Sequence, residues 1–228
     1  MTNLKVNIAG VSFKNPVITA SGCFGFGREY ECMYPLEKLG GISLKGMTFQ
    51  EKLGNPPPRI AETPSGMLNS VGLQNPGVEH FLEYDMPYLA KQDTVKIANI
   101  AGSSIEDYCA IAERLSESEI DMFELNISCP NVKQGGAAFG TSCESAERVV
   151  KEVRKYAKKP MIVKLSPNVT DIVSIAKAVE AQGADAVSLI NTLLGMRIDL
   201  ARRRPVLANV MGGYSGPGVF PVALRMVY

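Results

Sequence analysis

The sequence has no tryptophan, a single histidine and almost no net charge: 24 Lys and Arg stand against 23 Asp and Glu in 228 residues, a balance of +1. So even a balance leaves no broad field for nucleic acid or an anionic membrane, and any anion must be caught by a local site. One histidine excludes a histidine-rich metal centre. His80 itself lies in the helix-like segment GVEHFLEYDMPYL, which fits a surface or core-edge role better than a general base. The five cysteines (Cys23, Cys32, Cys109, Cys129 and Cys143) are odd in number and contain no C-x-x-C pair, so neither a disulfide framework nor a zinc knuckle is indicated. Long hydrophobic runs are also missing. The longest charge-free stretch, 205–224, is broken by Gly and Pro and would make a poor membrane helix, and MTNLKVNIAG has no signal-peptide pattern. The chain reads as cytoplasmic and reduced. With 46% apolar and 21% charged residues it is far from the composition of disorder, and a chain of this length can bury a substantial core.

Apolar runs rich in Val and Ile alternate with segments of helical period. Strands are expected over 16–20, 41–45, 94–100, 122–127, 161–165 and 186–190. Between them, Ser103 with Glu106 and Thr141 with Glu144 suggest capping boxes ahead of apolar stripes. Thr170 or Asp171 opens a third helix that Gly183 stops. Strands that look buried on both faces and are separated by helices argue for a parallel α/β sheet, open or closed into a barrel. Two spacers are too long for a bare helix–strand unit. They are an insertion over 47–93 and a loop over 130–142, and both follow the C-terminal ends of strands, where barrel enzymes carry their substrate loops. The run Gly22, Gly25, Gly27 has the order G-x-x-G-x-G, opposite to the dinucleotide fingerprint, and no P-loop occurs.

Polar groups collect at one rim. The six strands end in Ala20 and Ser21, in Lys45 and Gly46, in Asn99, in Asn126 with Cys129 beyond it, in Lys164, and in Asn191 with Thr192. The runs ISLKGMT and MIVKLSPN contain no acid, so Lys45 and Lys164 either meet an anionic ligand or extend past the core to water. Cys129 opens a glycine-rich loop without a histidine beside it; it is an inert thiol or a base acting on a carbon acid. The segment SGMLNSVGLQNPG is charge-free and rich in Gly and Asn. It is a plain loop or a reader of a small planar polar molecule.

Taken in order, NPVITASG, Lys45, MLNSVGLQNPG, NISCPNVKQGG with its following FG, VKLSPN and INTLLGM resemble the dihydroorotate dehydrogenases, and the continuation VKQGGAAFG resembles their class 1B catalytic subunits. The resemblance runs through the whole chain. It implies a TIM (β/α)8-type barrel in one domain over 1–228, with about six of eight β/α units present, 47–93 as the substrate insertion and 130–142 as an active-site lid. It implies FMN held by Ala20, Ser21, Lys45, Gly46, Asn99, Asn126, Lys164, Ile190 and Gly216. Dihydroorotate or orotate would be held by Lys45, Asn69, Ser70, Val71, Gly72, Leu73, Asn126, Asn191 and Thr192, with Asn131 as an addition. In the implied reaction, part of pyrimidine biosynthesis, Cys129 removes the C-5 proton of dihydroorotate while a hydride passes to FMN, and Lys164 offsets the charge of reduced flavin. The resemblance implies no metal on this chain itself, electrons leaving for NAD through a partner subunit that carries FAD and a 2Fe-2S cluster, and a homodimer core of this chain within a heterotetramer. Two other readings stay open on these grounds: a fumarate-linked or other pyrimidine-handling flavoprotein, and a non-enzymatic binding module. The last is motivated by length, since barrels of this type run to about 250 residues, and a C-terminally incomplete barrel is the expectation.

Overall fold

The computed structural model describes residues 2–128 and 139–228. An N-terminal hairpin, β1 (Val6–Ile8) and β2 (Val11–Phe13), precedes the main sheet. β3 (Ile18–Thr19) and β4 (Gly41–Ser43) begin that sheet. The insertion then contributes a second hairpin, β5 (Ile60–Thr63) and β6 (Gly66–Asn69). It also contributes a helical run from α1 (Val78–His80) through one π-helical stretch (Phe81–Asp85) into α2 (Met86–Leu89). Beyond it β7 (Val95–Ile100), α3 (Ile105–Ser116), β8 (Met122–Asn126), α4 (Cys143–Arg154), β9 (Met161–Lys164), α5 (Ile172–Ala181) and β10 (Ala186–Ser188) alternate regularly. The last part holds β11 (Leu193–Gly195), β12 (Ile198–Asp199), β13 (Arg204–Pro205), β14 (Gly212–Ser215) and α6 (Phe220–Val227).

Six parallel strands form the main sheet in the order β10-β9-β8-β7-β4-β3, each at or inside a run expected from the sequence. Two features lay beyond sequence pattern. β5, β6, β11 and β14 make a separate antiparallel sheet, and β12 pairs with β13. β14 is short and Gly-rich, among the described residues β11 pairs only with it, and the pairing of β14 to β6 of the insertion crosses more than a hundred residues, so no local period announces it.

The main sheet is curled. Ser43 on β4 and Ser188 on β10 each lie two strands from β8, on opposite sides, about 10 Å away in a flat sheet. Yet both hydroxyls donate to the Glu124 carboxylate, at 2.6 and 2.8 Å. The register explains the convergence. Ser43 pairs with Ile97, Asn99 with Glu124, Asn126 with Lys164, and Lys164 with Ser188, so with a side-chain period of two all six polar residues share one face. That concave face is apolar at its N-terminal end, where Phe13, Ile97, Met122 and Ile162 pack together under the β1–β2 hairpin, and polar at its C-terminal end. The convex face, including Ile42, Ala98, Phe123, Leu125 and Val163, packs against the helices. Tyr108, Ile111, Ala112 and Leu115 supply the stripe of α3, and Ala146, Val149, Val150 and Val153 that of α4. Each fully buried Leu, Ile or Val there contributes about 1.5–3 kcal/mol.

Two helix starts fall one residue later than their sequence signals. Ser104, not Ser103, caps α3, because the short Asp107 carboxylate reaches back to the amides of Ser103 and Ser104 at 2.8 and 3.1 Å while Ser104 Oγ accepts from Asp107 N–H. Ser142, not Thr141, caps α4, since Thr141 closes the preceding 3-10 turn (Phe139–Thr141). Asp171 caps α5 as expected, accepting from the amides of Val173 and Ser174. Among the described residues no helix is long and apolar enough to cross a membrane.

Candidate active site

The polar end of the concave face is organised by a residue absent from the sequence-based site. Glu124 is almost wholly buried, and its carboxylate accepts from Ser43 Oγ, Asn99 Nδ2 and Ser188 Oγ at 2.6, 2.6 and 2.8 Å. Burial alone would push this carboxyl up, but the Lys164 ammonium and the three donors outweigh it and hold Glu124 below the usual glutamate range. The local sequence around Lys164 shows no acid, yet the fold sets Glu124 of the neighbouring strand within its electrostatic reach. The available signal was a lone acid inside the apolar strand MFELN.

Lys45 differs. Burial pushes its pKa down, with Cys23 opposing and Arg59 adding to the fall. Among the described residues its ammonium makes no ion pair, which leaves a half-buried cation short of an anion. Lys45 lines a cavity of about 450 Å³ with Gly22, Phe26, Val71 and Asn75, and Glu29, Glu51 and Lys52 line it too without an ion pair to Lys45 among the described residues. A second cavity, about 430 Å³, lies at the opposite end of the sheet around Lys14, Gly40 and Asp93, and holds none of the sequence-named residues.

The loop over 69–73 is pinned above the end of β4. Asn75 Nδ2 donates to Leu73 O and to Thr48 Oγ1, and Asn75 Oδ1 accepts from Thr48 N–H. Ser70 N–H donates to Arg59 O at 2.7 Å, and Asn55 Nδ2 donates to Ser70 O at 2.9 Å. Gly72, at φ 77°, lies so close to Asn55 that a Cβ would fall 2.8 Å from its amide nitrogen. Asn69 Nδ2 donates to Gly213 O on β14, which ties the loop to the antiparallel sheet.

Further round the rim, Asn126 Oδ1 accepts from Ser128 Oγ at 2.6 Å and from Asn191 Nδ2 at 3.4 Å. Asn191 Nδ2 also donates to Ser128 Oγ, and Asn191 Oδ1 accepts from Thr192 N–H at 2.7 Å. These bonds fix both amides with opposite polarity. Tyr108 OH supports the group from below, donating to Asn126 O at 2.7 Å. Ser21 Oγ donates to Leu44 O, joining the ends of β3 and β4. Ala20 lies beside Ser21 at the open end of β3, and Ile190 follows β10 against the main core. Gly216 packs against Gly66 and Ser65 at the tip of the β5–β6 hairpin. Cys129, Asn131 and most of the 130–142 lid lie outside the described residues.

The residues present suit a planar, polar, partly anionic cofactor. Asn99 is fully buried, and its Oδ1 has no hydrogen-bond partner among the described residues. Gly46 adjoins it, and a Cβ there would come within 2.8 Å of that oxygen, so a backbone surface is kept free of side chain at the rim.

A curled parallel sheet flanked by helices, with an apolar plug at one end and cations and amides at its strand C-termini, is a partial β/α barrel, the class of enzyme fold that carries its active sites at that end. The chain belongs to the dihydroorotate dehydrogenase family, whose sequence model matches residues 3–228. It is 62% identical over 226 residues to a protein of Alkaliphilus metalliredigens named "Dihydroorotate dehydrogenase B (NAD(+)), catalytic subunit", covering 99% of this chain and 75% of that protein. Proteins of the same name from Alkaliphilus oremlandii (60% over 226 residues, 99% of this chain, 75% of that protein) and Listeria welshimeri (57% over 229 residues, 100% and 75%) are similar at the same coverage.

Proposed function

We propose that this chain is the catalytic subunit of an NAD-linked dihydroorotate dehydrogenase, oxidising dihydroorotate to orotate in pyrimidine biosynthesis in the cytoplasm, from a single barrel domain with 47–93 as its substrate insertion and 130–142 as its lid. The observation that carries this reading is Lys45: a half-buried ammonium without an ion pair among the described residues, facing a cavity it shares with Val71 of the loop over 69–73. A carboxylate substrate supplies the missing charge.

In this reading Ala20, Ser21, Lys45, Gly46, Asn99, Asn126, Lys164, Ile190 and Gly216 hold FMN. Bound FMN supplies a two-electron acceptor. Asn69 through Leu73, Asn126, Asn191 and Thr192 orient the substrate ring, and the fixed polarity of the two asparagines decides which ring atoms they meet. Lys164 places positive charge on the site floor, where negative charge develops. Cys129 takes the C-5 proton. A partner subunit with FAD and a 2Fe-2S cluster carries electrons onward to NAD, around a homodimer of this chain.

The test is Cys129→Ala. Anaerobic reduction of bound flavin by dihydroorotate should slow by about 10²–10⁴-fold, the usual worth of a positioned base, while flavin and orotate still bind. Unchanged single-turnover reduction would remove Cys129 from the mechanism.

A further inference from the structure

We propose that Glu124 is a positioning residue for the cofactor site: it holds the Asn99 amide in one orientation, so that Asn99 Oδ1 presents a lone acceptor to a ring N–H of the bound flavin. The inference rests on the reading of Asn99 as a flavin contact. Asn99 Nδ2 donates to Glu124 Oε2 at 2.6 Å, and Ser43 Oγ donates to the same oxygen at 2.6 Å. Were the Asn99 amide turned round, its oxygen would face a carboxylate oxygen at that distance, two acceptors in repulsion. The amide polarity is therefore dictated from inside the barrel, by a buried group that is itself fixed by β4, β7 and β10. The other half of the amide is left unsatisfied: Oδ1 is buried and has no partner among the described residues, next to the side-chain-free backbone of Gly46. A buried acceptor without a donor is costly unless a ligand completes it. Oxidised flavin has one ring donor, N3–H, so the site selects a ring that carries a donor there.

The carboxylate is not required for core filling, since an apolar side chain of similar size would avoid the cost of burying charge. Its three donors and the nearby lysine make it a fixed acceptor, and the acceptor function separates it from charge. In Glu124→Gln the amide oxygen can still accept from Asn99 and Ser43 while its NH2 donates to Ser188 Oγ. Glu124→Met offers no acceptor.

The test is a double-mutant cycle on FMN dissociation constants, read by flavin fluorescence quenching. Asn99→Leu and Glu124→Met should each weaken FMN about tenfold, the worth of one such bond, and the pair together should lose no more than either alone. Glu124→Gln should stay within about threefold of the parent, the rescue expected from a retained acceptor. Additive losses in the double variant, or full affinity in Glu124→Met while Asn99→Leu loses tenfold, would overturn the proposal and leave the flavin contact standing. Full affinity in Asn99→Leu would remove the contact itself, and the proposal with it. Should Glu124→Met fail to fold, the parent protein bound to FMN labelled with 15N at N3 decides the matter. Its N3 proton should exchange slowly with water and become fast in Asn99→Leu; fast exchange in the parent would refute the assignment.

Discussion

Replacing Ser43 by Ala tests whether the sheet really converges on Glu124. Ser43 is 2% exposed and its hydroxyl donates to Glu124 Oε2 at 2.6 Å, so no water can take its place without moving β4. A hydrogen bond to a charged acceptor is worth about 1.5–3 kcal/mol. Asn99 remains on the same oxygen, which favours the lower half of that range, and a loss near 2 kcal/mol corresponds to about 4–8 °C in Tm for a chain of this size. The pH dependence carries the sharper signature. Glu124 is held below the usual glutamate value, so its contribution is fully present above about pH 4.3 and fades as pH falls through its lower folded-state pKa. Ser43→Ala removes one of the donors responsible and moves that pKa back up. The parent and variant should therefore differ by a constant amount from pH 7 to about 5, with the gap closing in acid below about 4. Urea unfolding across this range measures both. A difference under about 0.5 kcal/mol at pH 7, the scale of an ordinary surface substitution, or one that does not shrink in acid, would refute the buried hub.

Gly46→Ala would place a Cβ 2.8 Å from Asn99 Oδ1 and 3.4 Å from Leu73 Cδ2; FMN affinity by fluorescence titration should fall at least tenfold, the cost of displacing one good hydrogen bond. Asp171→Ala removes the acceptor for two free amides at the start of α5, and thermal unfolding should show a loss of about 1 kcal/mol without any change in flavin binding.

The main sheet was legible because a buried parallel strand announces itself locally: six apolar runs rich in β-branched residues each became a strand at or near the expected position. The rim was legible for the same reason, since a polar residue ending an apolar run is visible without any partner. Partnership was not legible. Glu124 meets Ser43, Asn99 and Ser188 only because the sheet curls, and the separations run from 25 to 81 residues. Lys164 consequently looked remote from any acid, although Glu124 on the neighbouring strand feels its charge, whereas Lys45 makes no ion pair among the described residues. The pairing of β6 with β14, through Gly-rich strands of weak propensity, was hidden in the same way. Helix caps were misplaced by one residue where two adjacent hydroxyl residues competed and the backbone turn decided between them.

The most direct test of the proposed activity is to load the purified chain with FMN under nitrogen, add dihydroorotate, and follow the flavin absorption band alongside orotate formation. The expected result is one flavin bleached per chain with one orotate produced for each. A chain that binds flavin stoichiometrically and stays yellow with excess dihydroorotate would contradict it.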